Sequence, residues 1–380
     1  MSISTTQAAG ILGVKTETVY AYVSRGLLHP VRASGGTGGR RSEFDHREVE
    51  RVAARRRRGG RAGALDVLVE TELTMLDPAG RLYFRGRDVS VLARSAAFED
   101  VAALLWGVEP DDTPWTSPEP ATSAIAQAGK LMSDSATGLD RVRLAVGILA
   151  GFDPRRDDRT VAHVTAAGRA MTSAGLLVQP SRGEPVGSRV VHRLWSALSA
   201  RAPSDAEIAI LEAALILLTD HELAASTLAA RVAASAWADP YLVVLAGLAA
   251  VSGSLHGRTS TPAAVMLRTA IASDDVVGSV AGMHTEAGMP GFGHTVYQGP
   301  DPRAETLLDL VAGLDTEHWP VIDAALAAGS SATGREANVD FALAAFVVSA
   351  SLPTTAGELI FGIARLTGVI AHAIEDTSTG

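Results

Sequence analysis

The chain has 380 residues, of which 47% are apolar and 20% charged, and these proportions fit a folded globular protein with a sizeable core. It contains no cysteine, which excludes disulfides, thiolate catalysis and cysteine zinc sites. The first ten residues lack the basic and apolar regions of a signal peptide. The most apolar run, residues 206–219, is too short and too interrupted by acidic residues to span a membrane. We therefore expect a cytoplasmic protein that makes no membrane contact.

The charge is unevenly distributed along the chain. Residues 1–64 hold 12 Lys and Arg against 5 Asp and Glu, a net charge of +7. The remaining residues carry a net charge of −16, so the whole chain carries −9. A basic N-terminal segment, here called the head, in front of an acidic body is typical of a segment that binds nucleic acid. The alternative is an arginine-rich tail that only improves solubility.

The basic head begins with the pattern of two short helices. Thr5 or Thr6 can cap the first helix, and Gly13 breaks it. The second helix is expected to start near Thr16 and to end at Gly26. Two short helices joined by a glycine-containing turn are typical of a helix-turn-helix.

A glycine-rich hairpin follows, and Asp45 then caps a third helix. The head resembles the MerR/excisionase winged helix-turn-helix family in TTQAAGILGVKTETVYAYVSRGLL and in GGRRSEFDHREVERV. The resemblance implies that the second helix enters the major groove and that the hairpin contacts the backbone. The residues expected to face DNA are Lys15, Thr16, Thr18, Tyr22 and Arg25, with Arg40 and Arg41 on phosphates. Such heads can also serve only as docking modules.

Behind the head, the pattern changes to that of a helical body. We expect residues 59–64, which follow a run of four arginines, to form a glycine-containing linker. Alternating apolar and polar residues around Asp77 and Gly80 predict a small β-hairpin. From Ser90 onward almost every segment has helical spacing, so the fold class is mainly α.

Two later segments, AEIAILEAALILLTDHE and DPYLVVLAGLAAVSG, are apolar on most sides. The second contains small residues that allow close helix–helix contact, namely Ala246, Gly247, Ala249, Ala250 and Gly253. Such helices form either the middle of a large domain or a dimer interface, and we favour the dimer interface.

The segment MPGFGHTVYQGPDPR carries the strongest chemical signal. His294 follows a Gly-Phe-Gly turn, and Arg303 follows Asp-Pro. Glycine lets the backbone approach a ligand closely, a histidine can donate to a carbonyl, and an arginine can clamp a carboxylate. The segment predicts a pocket for a small oxo-acid. A glycine turn with a surface histidine and arginine is the alternative.

Other polar residues recur at helix ends and turns: His221, His256, Asp340 and Arg365. Each alone is as well explained by a helix cap or a structural ion pair. Their order changes this interpretation, because residues 65–375 resemble the citrate synthase family. The matching stretches are LYFRGRDVSVLA, FEDVAALLW, DHELAASTLAARVAAS, GSLHG, GFGHTVYQGPDPRA, NVDFALAAF and PTTAGELIFGIARLTGVIAH.

The resemblance implies condensation of an acyl-CoA with oxaloacetate, as in the tricarboxylic acid cycle. Acetyl-CoA would give citrate and propionyl-CoA would give 2-methylcitrate, each with release of CoA. Such an enzyme is an acyltransferase that converts the acyl group to an alkyl group on transfer. No resident cofactor and no metal are implied, since the CoA thioester is a substrate.

The family roles carry over by matching motifs. Asp340 would remove the proton from the acyl group, His256 would stabilise the enol, and His294 would polarise the oxaloacetate carbonyl. The residues expected to bind oxaloacetate are His221, Arg303 and Arg365, and those expected to bind CoA are Gly291, Gly293 and Arg258. Hydrogen bonds to the developing enolate and the positioning of two reactants would supply the rate enhancement.

The resemblance also predicts how the chain divides. A helix-turn-helix domain would occupy residues 1–58. A large helical domain would combine residues 65–256 and 347–380, and a small helical domain would span residues 257–346.

Several positions depart from the family pattern. The chain has LHGRTS where LHGGAN or similar is common, Ala224 where an asparagine is common, and no basic residue near Gln298. No arginine follows Arg365, whereas the family has one that reaches into the partner subunit's site. Loss of one such donor costs about 2–5 kcal/mol. That would weaken oxaloacetate binding by roughly two to three orders of magnitude.

Three functions therefore remain open. The chain is an active synthase that binds oxaloacetate and acyl-CoA, a weakened paralogue that senses a metabolite and binds DNA, or a heteromeric subunit of a complete citrate synthase. The expected partner is accordingly a second copy in a homodimer or a paralogue in a heterodimer.

Overall fold

The computed structural model of the chain shows two compact units, residues 1–69 and residues 70–380, which we call the N-terminal and C-terminal units. The residues that it describes are 2–12, 14, 16, 19, 28, 30–31, 43–47, 49, 71–77, 80–221, 224–253, 256–285, 288–294, 296–297 and 299–378.

The N-terminal unit contains a small antiparallel sheet. Strands β1 (Ser2–Ser4) and β2 (Pro30–Val31) both pair with β3 (Glu43–Asp45), and helix α1 (Thr5–Leu12) follows β1. The pairing of β2 with β3 agrees with the predicted hairpin. A separate apolar core holds this unit together, formed by Ile3, Ala8, Ala9, Leu12, Val19, Leu28, Phe44 and Val49.

Helix α1 starts one residue earlier than predicted. The Oγ of Ser4 accepts from the backbone N–H of Gln7 at 3.3 Å, and the Gln7 side chain accepts from the N–H of Ser4 at 2.9 Å. This reciprocal pair is a capping box. Ser4, rather than Thr5 or Thr6, is therefore the cap.

The predicted DNA contacts are largely beyond what the structure describes. Thr16 is half-buried in a helical position. Lys15, Thr18, Tyr22, Arg25, Arg40 and Arg41 lie outside the described residues, as does the predicted linker at residues 59–64. The assignment of these residues to DNA stays a prediction.

The C-terminal unit begins with the predicted hairpin. Strands β4 (Thr74–Leu76), β5 (Leu82–Phe84) and β6 (Arg87–Asp88) form an antiparallel sheet in that order. The backbone N–H of Asp77 donates to the carbonyl of Arg81 at 2.9 Å and closes the turn. The expectation of a hairpin here is confirmed.

Apart from two isolated bridges and the connecting loops, the rest of the described C-terminal unit is helical, which confirms the mainly α fold class. Its helices are α2 (Val89–Ser95), α3 (Phe98–Trp106), α4 (Ala121–Lys130), α5 (Gly138–Phe152), α6 (Val161–Leu177), α7 (Val190–Leu198), α8 (Asp205–Leu218), α9 (Ala225–Ser235), α10 (Pro240–Val251), α11 (Ser260–Ile271), α12 (Val276–Ala281), α13 (Pro302–Ala312), α14 (Trp319–Thr333), α15 (Val339–Ser349) and α16 (Ala356–Ser378).

Local sequence explains where several helices start. Ser204 caps α8 in a capping box with Glu207, and Asp239 caps α10, whose first residue is proline. Asn338 caps α15, because its side chain accepts from the backbone N–H groups of Asp340 and Phe341.

The two most apolar predicted helices have different surroundings. Residues 210–218 of α8 are at most 7% exposed within one chain, so α8 is a core helix and the expectation that it forms a dimer interface is wrong. Helix α10 leaves Leu242 46% exposed and Ala249 exposed. This helix alone keeps a face that a second copy could cover.

Helix α16 passes through the middle of the core. Its stretch Ala356–Asp376 is long and apolar enough to cross a membrane, but its most apolar 18 residues are all buried inside the unit, as in the central helix of a folded core. A Cβ on Gly368 would lie 2.2 Å from the carbonyl oxygen of Thr219. The glycine therefore lets α16 approach the end of α8, and this contact brings Arg365 near His221.

Candidate active site

A cavity of about 570 Å³ lies in the C-terminal unit. Six residues predicted from the sequence line it: His221, His256, His294, Arg303, Asp340 and Arg365. They come from the end of α8, the turn before α11, the start of α13 with the segment before it, and helices α15 and α16. Tertiary packing thus assembles groups that are far apart in the sequence.

Two glycines shape the backbone in front of His294. Gly291 and Gly293 have φ angles of 84° and 82°, in the left-handed region that favours glycine. A Cβ on Gly291 would lie 2.8 Å from the Cβ of Phe341. The backbone N–H of Asn338 donates to the carbonyl of Gly291 at 2.9 Å. The turn is therefore fixed against the start of α15.

One carboxylate fixes the guanidinium of Arg303. Its Nε and Nη2 donate to the two oxygens of Asp301 at 2.9 and 2.7 Å, and both residues are buried. Asp301 also accepts from the backbone N–H of Val339 at 3.1 Å. Burial lowers the pKa of Arg303, but the charge of Asp301 outweighs it and the pKa is raised. The carboxylate of Asp301 thus links the first turn of α13, which carries Arg303, to the first turn of α15, which carries Asp340.

The ring of His294 is oriented through Nδ1. This atom accepts from the backbone N–H of Val296 at 3.0 Å, so a neutral ring carries its proton on Nε2. Nε2 lies 3.3 Å from Nη2 of Arg303. Both groups then offer protons, so the pair is arranged to receive an oxygen acceptor from a ligand.

His221 and His256 are each held by a hydroxyl group. Nε2 of His221 lies 2.8 Å from Oη of Tyr297, and its ring centroid is 5.1 Å from that of His294. Nε2 of His256 lies 2.9 Å from Oγ of Ser226. These contacts fix both rings at the cavity wall.

All three imidazoles are neutral at neutral pH. Burial, followed by the nearby arginine charges, lowers the pKa of His256 and of His294 to about 4. The same causes hold the pKa of His221 well below its usual range. Neutral imidazoles can donate hydrogen bonds to a carbonyl without adding charge to the cavity.

Asp340 has a carboxylate oxygen without a hydrogen-bond partner among the described residues. This oxygen, Oδ1, is buried. Burial raises the pKa of Asp340 to about 6, although Thr259 and Arg303 oppose the rise. A general base is most effective when its pKa is near the working pH. Asp340 thus lines the cavity with an unpartnered carboxylate oxygen and has the basicity of a proton acceptor.

Arg365 is the second group that lacks a partner. Nε donates to the carbonyl of Leu218 at 3.1 Å, and the guanidinium lies 4.9 Å from the ring centre of Phe361. Nη1 is buried and, among the described residues, has no hydrogen-bond partner. Burial lowers the pKa of Arg365 to about 10, which leaves it charged. A buried cation with a free donor is suited to a carboxylate.

Behind the cavity lies a second cluster of buried charges, which we call the anchor network. It consists of Asp220, Arg231, His372, Glu375 and Asp376. Nε2 of His372 lies 3.2 Å from Oδ1 of Asp220, and Arg231 donates to Glu375 at 2.8 Å and to Asp376 at 2.6 Å. Because Asp220 directly precedes His221, the network fixes the backbone at the cavity wall.

The hairpin is tied to the same network. Thr74 Oγ1 donates to Asp220 Oδ2 at 2.5 Å, and the backbone N–H of Glu72 donates to Glu375 at 2.7 Å. Burial opposes the charge on His372, but Asp220 raises its pKa to about 9. The network is therefore ionised and internally paired at neutral pH.

Two of the predicted CoA-binding residues do not line the cavity. Gly291 belongs to the turn but does not line the cavity, whereas Gly293 does. Nε of Arg258 lies 3.7 Å from Oε2 of Glu358, and half of its side chain is exposed. Arg258 therefore lies outside the cavity lining, next to the buried carboxylate of Glu358, and its assignment to CoA stays a prediction.

Sequence reasoning missed three contributors. Tyr297 orients His221, Asp301 orients Arg303, and Arg335 lines the cavity beside Gly293. Tyr297 and Asp301 lie within the segment that carried the strongest signal, so a search of that segment for side chains that can form hydrogen bonds would have found them. Arg335 had no such signal.

Residues 64–380 match the family model described as citrate synthase, C-terminal domain, and residues 3–57 match that of MerR HTH family regulatory proteins. A 2-methylcitrate synthase of Mycobacterium tuberculosis is 29% identical, over 83% of this chain and 86% of that protein. A citrate synthase of Haloferax volcanii is 28% identical, over 81% of this chain and 89% of that protein.

Solved structures show the same fold. The citrate synthase of the archaeon Thermoplasma acidophilum, in a ternary complex with carboxymethyl coenzyme A and oxaloacetate, has a TM-score of 0.66 and 24% identity. The match covers 82% of this chain and 90% of that one.

Proposed function

The chain belongs to the citrate synthase family, and on that premise we propose that its C-terminal unit condenses an acyl-CoA with oxaloacetate. The observation that carries the proposal is the cavity itself. It combines a buried carboxylate with an unpaired oxygen, neutral imidazoles and a buried arginine with a free donor. Each of these unpaired groups has a role in an enolate condensation.

The proposed first step is enolisation of the acyl group. Asp340 takes a proton from the carbon next to the thioester carbonyl, and His256 donates a hydrogen bond to the thioester oxygen. A thioester α-proton is far less acidic than a carboxylic acid, so stabilisation of the enolate must supply most of the driving force. The pKa of Asp340, about 6, leaves it ionised and ready to accept the proton at neutral pH.

The second step forms the carbon–carbon bond. The enol carbon attacks the keto carbon of oxaloacetate, and the keto oxygen takes the π electron pair together with a proton from Nε2 of His294, which regains a proton when water hydrolyses the thioester. Arg303 and Arg365 pair with the carboxylates, and His221 completes the contact. Hydrolysis of the resulting thioester by water releases free CoA and the tricarboxylic acid. The cavity positions both reactants, which replaces a bimolecular encounter by a local one.

The acyl group is proposed to be acetyl or propionyl. Relatives named citrate synthase and relatives named 2-methylcitrate synthase match the chain at similar identity. The products would be citrate or 2-methylcitrate.

The experiment is release of free CoA from a panel of acyl-CoA thioesters in the presence of oxaloacetate. The panel runs from acetyl- to butyryl-CoA, with the purified chain alone and with a citrate synthase paralogue added. CoA release that needs oxaloacetate supports the proposal. Release by the mixture above the rate of the paralogue alone, with none by the chain alone, supports the heteromeric alternative. No release by the chain alone, and none by the mixture beyond that of the paralogue, contradicts the proposal.

A second candidate function is DNA binding by the N-terminal unit, which the MerR family match and the charge of +7 over residues 1–64 support. A binding assay with the chain's own upstream DNA at 50 and 200 mM salt tests it. Affinity that falls steeply with salt and prefers one sequence supports a DNA-binding regulator. Absence of binding at low salt contradicts it.

A homodimer is the proposed assembly. The exposed side of α10, with Leu242 and Ala249, supports it, since an apolar helix with an exposed face gains by being covered. Sedimentation of wild type and Leu242→Glu checks this, with monomer expected for the variant. A monomeric wild type contradicts the proposed assembly.

A further inference from the structure

Arg335 differs from Arg303 and Arg258, two other arginines at or near the cavity, because it is not paired with a carboxylate among the described residues. It lies in the turn between α14 and α15, is exposed, and lines the cavity. Arg303 is paired with Asp301, and Arg258 lies beside Glu358. The hydrogen bonds of Arg335 involve its backbone and Thr333. Within the described residues, no carboxylate lies within ion-pair distance of its guanidinium.

The position of Arg335 is set by the backbone around it. The N–H of Gly293 donates to the carbonyl of Glu336 at 2.8 Å, and Nδ2 of Asn338 donates to the carbonyl of Gly293 at 2.8 Å. A Cβ on Gly293 would lie 2.7 Å from Cδ and 3.0 Å from Nη1 of Arg335. The side chain therefore lies directly on the Gly293 backbone, next to His294.

The charge balance of the cavity points to an anionic ligand at this place. Arg303, Arg335 and Arg365 face one carboxylate, Asp340, so the lining carries a net charge of +2 with neutral imidazoles. Asp301, behind the wall, compensates Arg303. Arg335 thus carries a positive charge that no described carboxylate compensates, at a point where a ligand can reach it.

On the basis of the proposed function, we infer that Arg335 binds an oxyanion of a substrate beside Gly293. The oxyanion is either a carboxylate of oxaloacetate or a phosphate of the CoA thioester, and a guanidinium pairs with either through two parallel hydrogen bonds. The chain thereby supplies a third substrate-binding arginine from its own small turn. Gly293 is needed both for its left-handed backbone and for the close approach of Arg335.

The test is calorimetric titration of the full chain with oxaloacetate and, separately, with CoA and 3′-dephospho-CoA. The variants are Arg335→Gln and Arg335→Lys. The control is Arg182→Gln, an exposed arginine between α6 and α7 that does not line the cavity. We expect Arg335→Gln to raise the Kd of one ligand at least tenfold and Arg335→Lys to restore part of it.

The outcomes separate the two sources of the oxyanion. A weaker oxaloacetate complex with unchanged CoA binding assigns the carboxylate. A weaker CoA complex assigns a phosphate, and the 3′-phosphate in particular if 3′-dephospho-CoA binds wild type and Arg335→Gln equally. If wild type binds both ligands and Arg335→Gln changes neither Kd more than Arg182→Gln does, the inference is wrong while the proposed function stands. If wild type binds neither ligand, both are overturned.

Discussion

The C-terminal unit contains two buried polar clusters that differ in one respect. The anchor network pairs its cations with carboxylates, as in the contacts of Arg231 with Glu375 and Asp376. The cavity cluster leaves Oδ1 of Asp340 and Nη1 of Arg365 without partners in the described structure. The two clusters are neighbours, since Asp220 belongs to the first and His221 to the second.

This difference separates stability from function. A buried polar atom without a partner costs about 1–3 kcal/mol, so a folded chain retains few of them. Two such atoms, Oδ1 of Asp340 and Nη1 of Arg365, belong to residues that line one cavity, and a ligand that supplies their missing partners recovers the cost. We therefore expect substitutions in the anchor network to lower stability and substitutions in the cavity cluster to lower activity.

The largest expected effect is on catalysis. Asp340→Asn removes the proposed base, and we expect kcat to fall by about 10²–10⁴-fold. The free energy of unfolding should stay equal or rise at pH 7, because burial disfavours the ionised carboxyl. Wild-type kcat/KM should rise with pH through about 6, and the variant should lack that dependence. Steady-state kinetics between pH 5 and 8 measure both effects.

Asp323→Asn is the matched control, since Asp323 is exposed on α14. An Asp340→Asn variant with wild-type kcat would show that another group removes the proton.

The anchor network should produce the largest change in stability. His372→Ala removes the cationic partner of the buried Asp220, and we expect a loss of about 3–5 kcal/mol in the free energy of unfolding. The folded-state pKa of His372 is raised to about 9. Its contribution is therefore complete below the unfolded pKa, about 6.5, and is lost as the pH rises through about 9.

Urea denaturation at pH 7 and pH 10 checks this sign. The difference between wild type and His372→Ala should be large at pH 7 and smaller at pH 10. His284→Ala, at an exposed position, should change stability by no more than about 0.5 kcal/mol. Equal urea midpoints for wild type and His372→Ala at pH 7 would refute the structural role of the pair.

His294 should affect activity with little effect on stability. His294→Ala removes the proposed donor to the keto oxygen, and we expect kcat to fall by about 10²–10³-fold. Because its pKa is lowered to about 4, wild-type activity should show no loss from imidazole protonation between pH 5 and 8. His294→Gln, which retains an N–H donor, should be the more active variant. Equal kcat for the two variants would argue against a donor role.

The smallest expected effect is at the start of α15. Asn338→Ala removes the helix cap and the bond from Nδ2 to the carbonyl of Gly293. Loss of a cap costs about 1 kcal/mol, within a range of about 0.5–2. Asn338→Asp keeps the cap and loses only the donor, so it should unfold at a urea concentration between those of wild type and the alanine variant. If both variants match wild type, the cap contributes nothing.

Much of the cavity could be predicted from the sequence, because its principal residues lie in short motifs with distinct spacing. His294 and Arg303 follow glycine and proline turns, and Asp340 follows its own cap, Asn338. The predicted cap of α1 was one residue too late. Ser4 forms a reciprocal pair with Gln7, but Thr5 and Thr6 are also good cap residues by type, so the sequence did not single out Ser4.

Tertiary contacts account for what the sequence did not predict. Arg258 was predicted to bind CoA, and nothing in the sequence indicated that Glu358, from a distant helix, would lie 3.7 Å from its guanidinium. Arg335 had no motif, and only the hydrogen bonds between its turn and the Gly293 backbone bring it to the cavity. Likewise, the apolar sequence of α8 gave no sign of whether its own chain or a second copy would bury it.

The division between the two clusters can be tested with one pair of variants. Arg365→Gln alters a cavity arginine with a free donor, and Arg231→Gln alters a fully paired anchor arginine. Both variants are titrated calorimetrically with oxaloacetate, and their thermal unfolding is compared with that of wild type. We predict that Arg365→Gln loses about 2–5 kcal/mol of oxaloacetate binding and keeps its Tm, whereas Arg231→Gln keeps its Kd and loses Tm. Wild-type affinity in Arg365→Gln, or wild-type Tm in Arg231→Gln, would contradict the account.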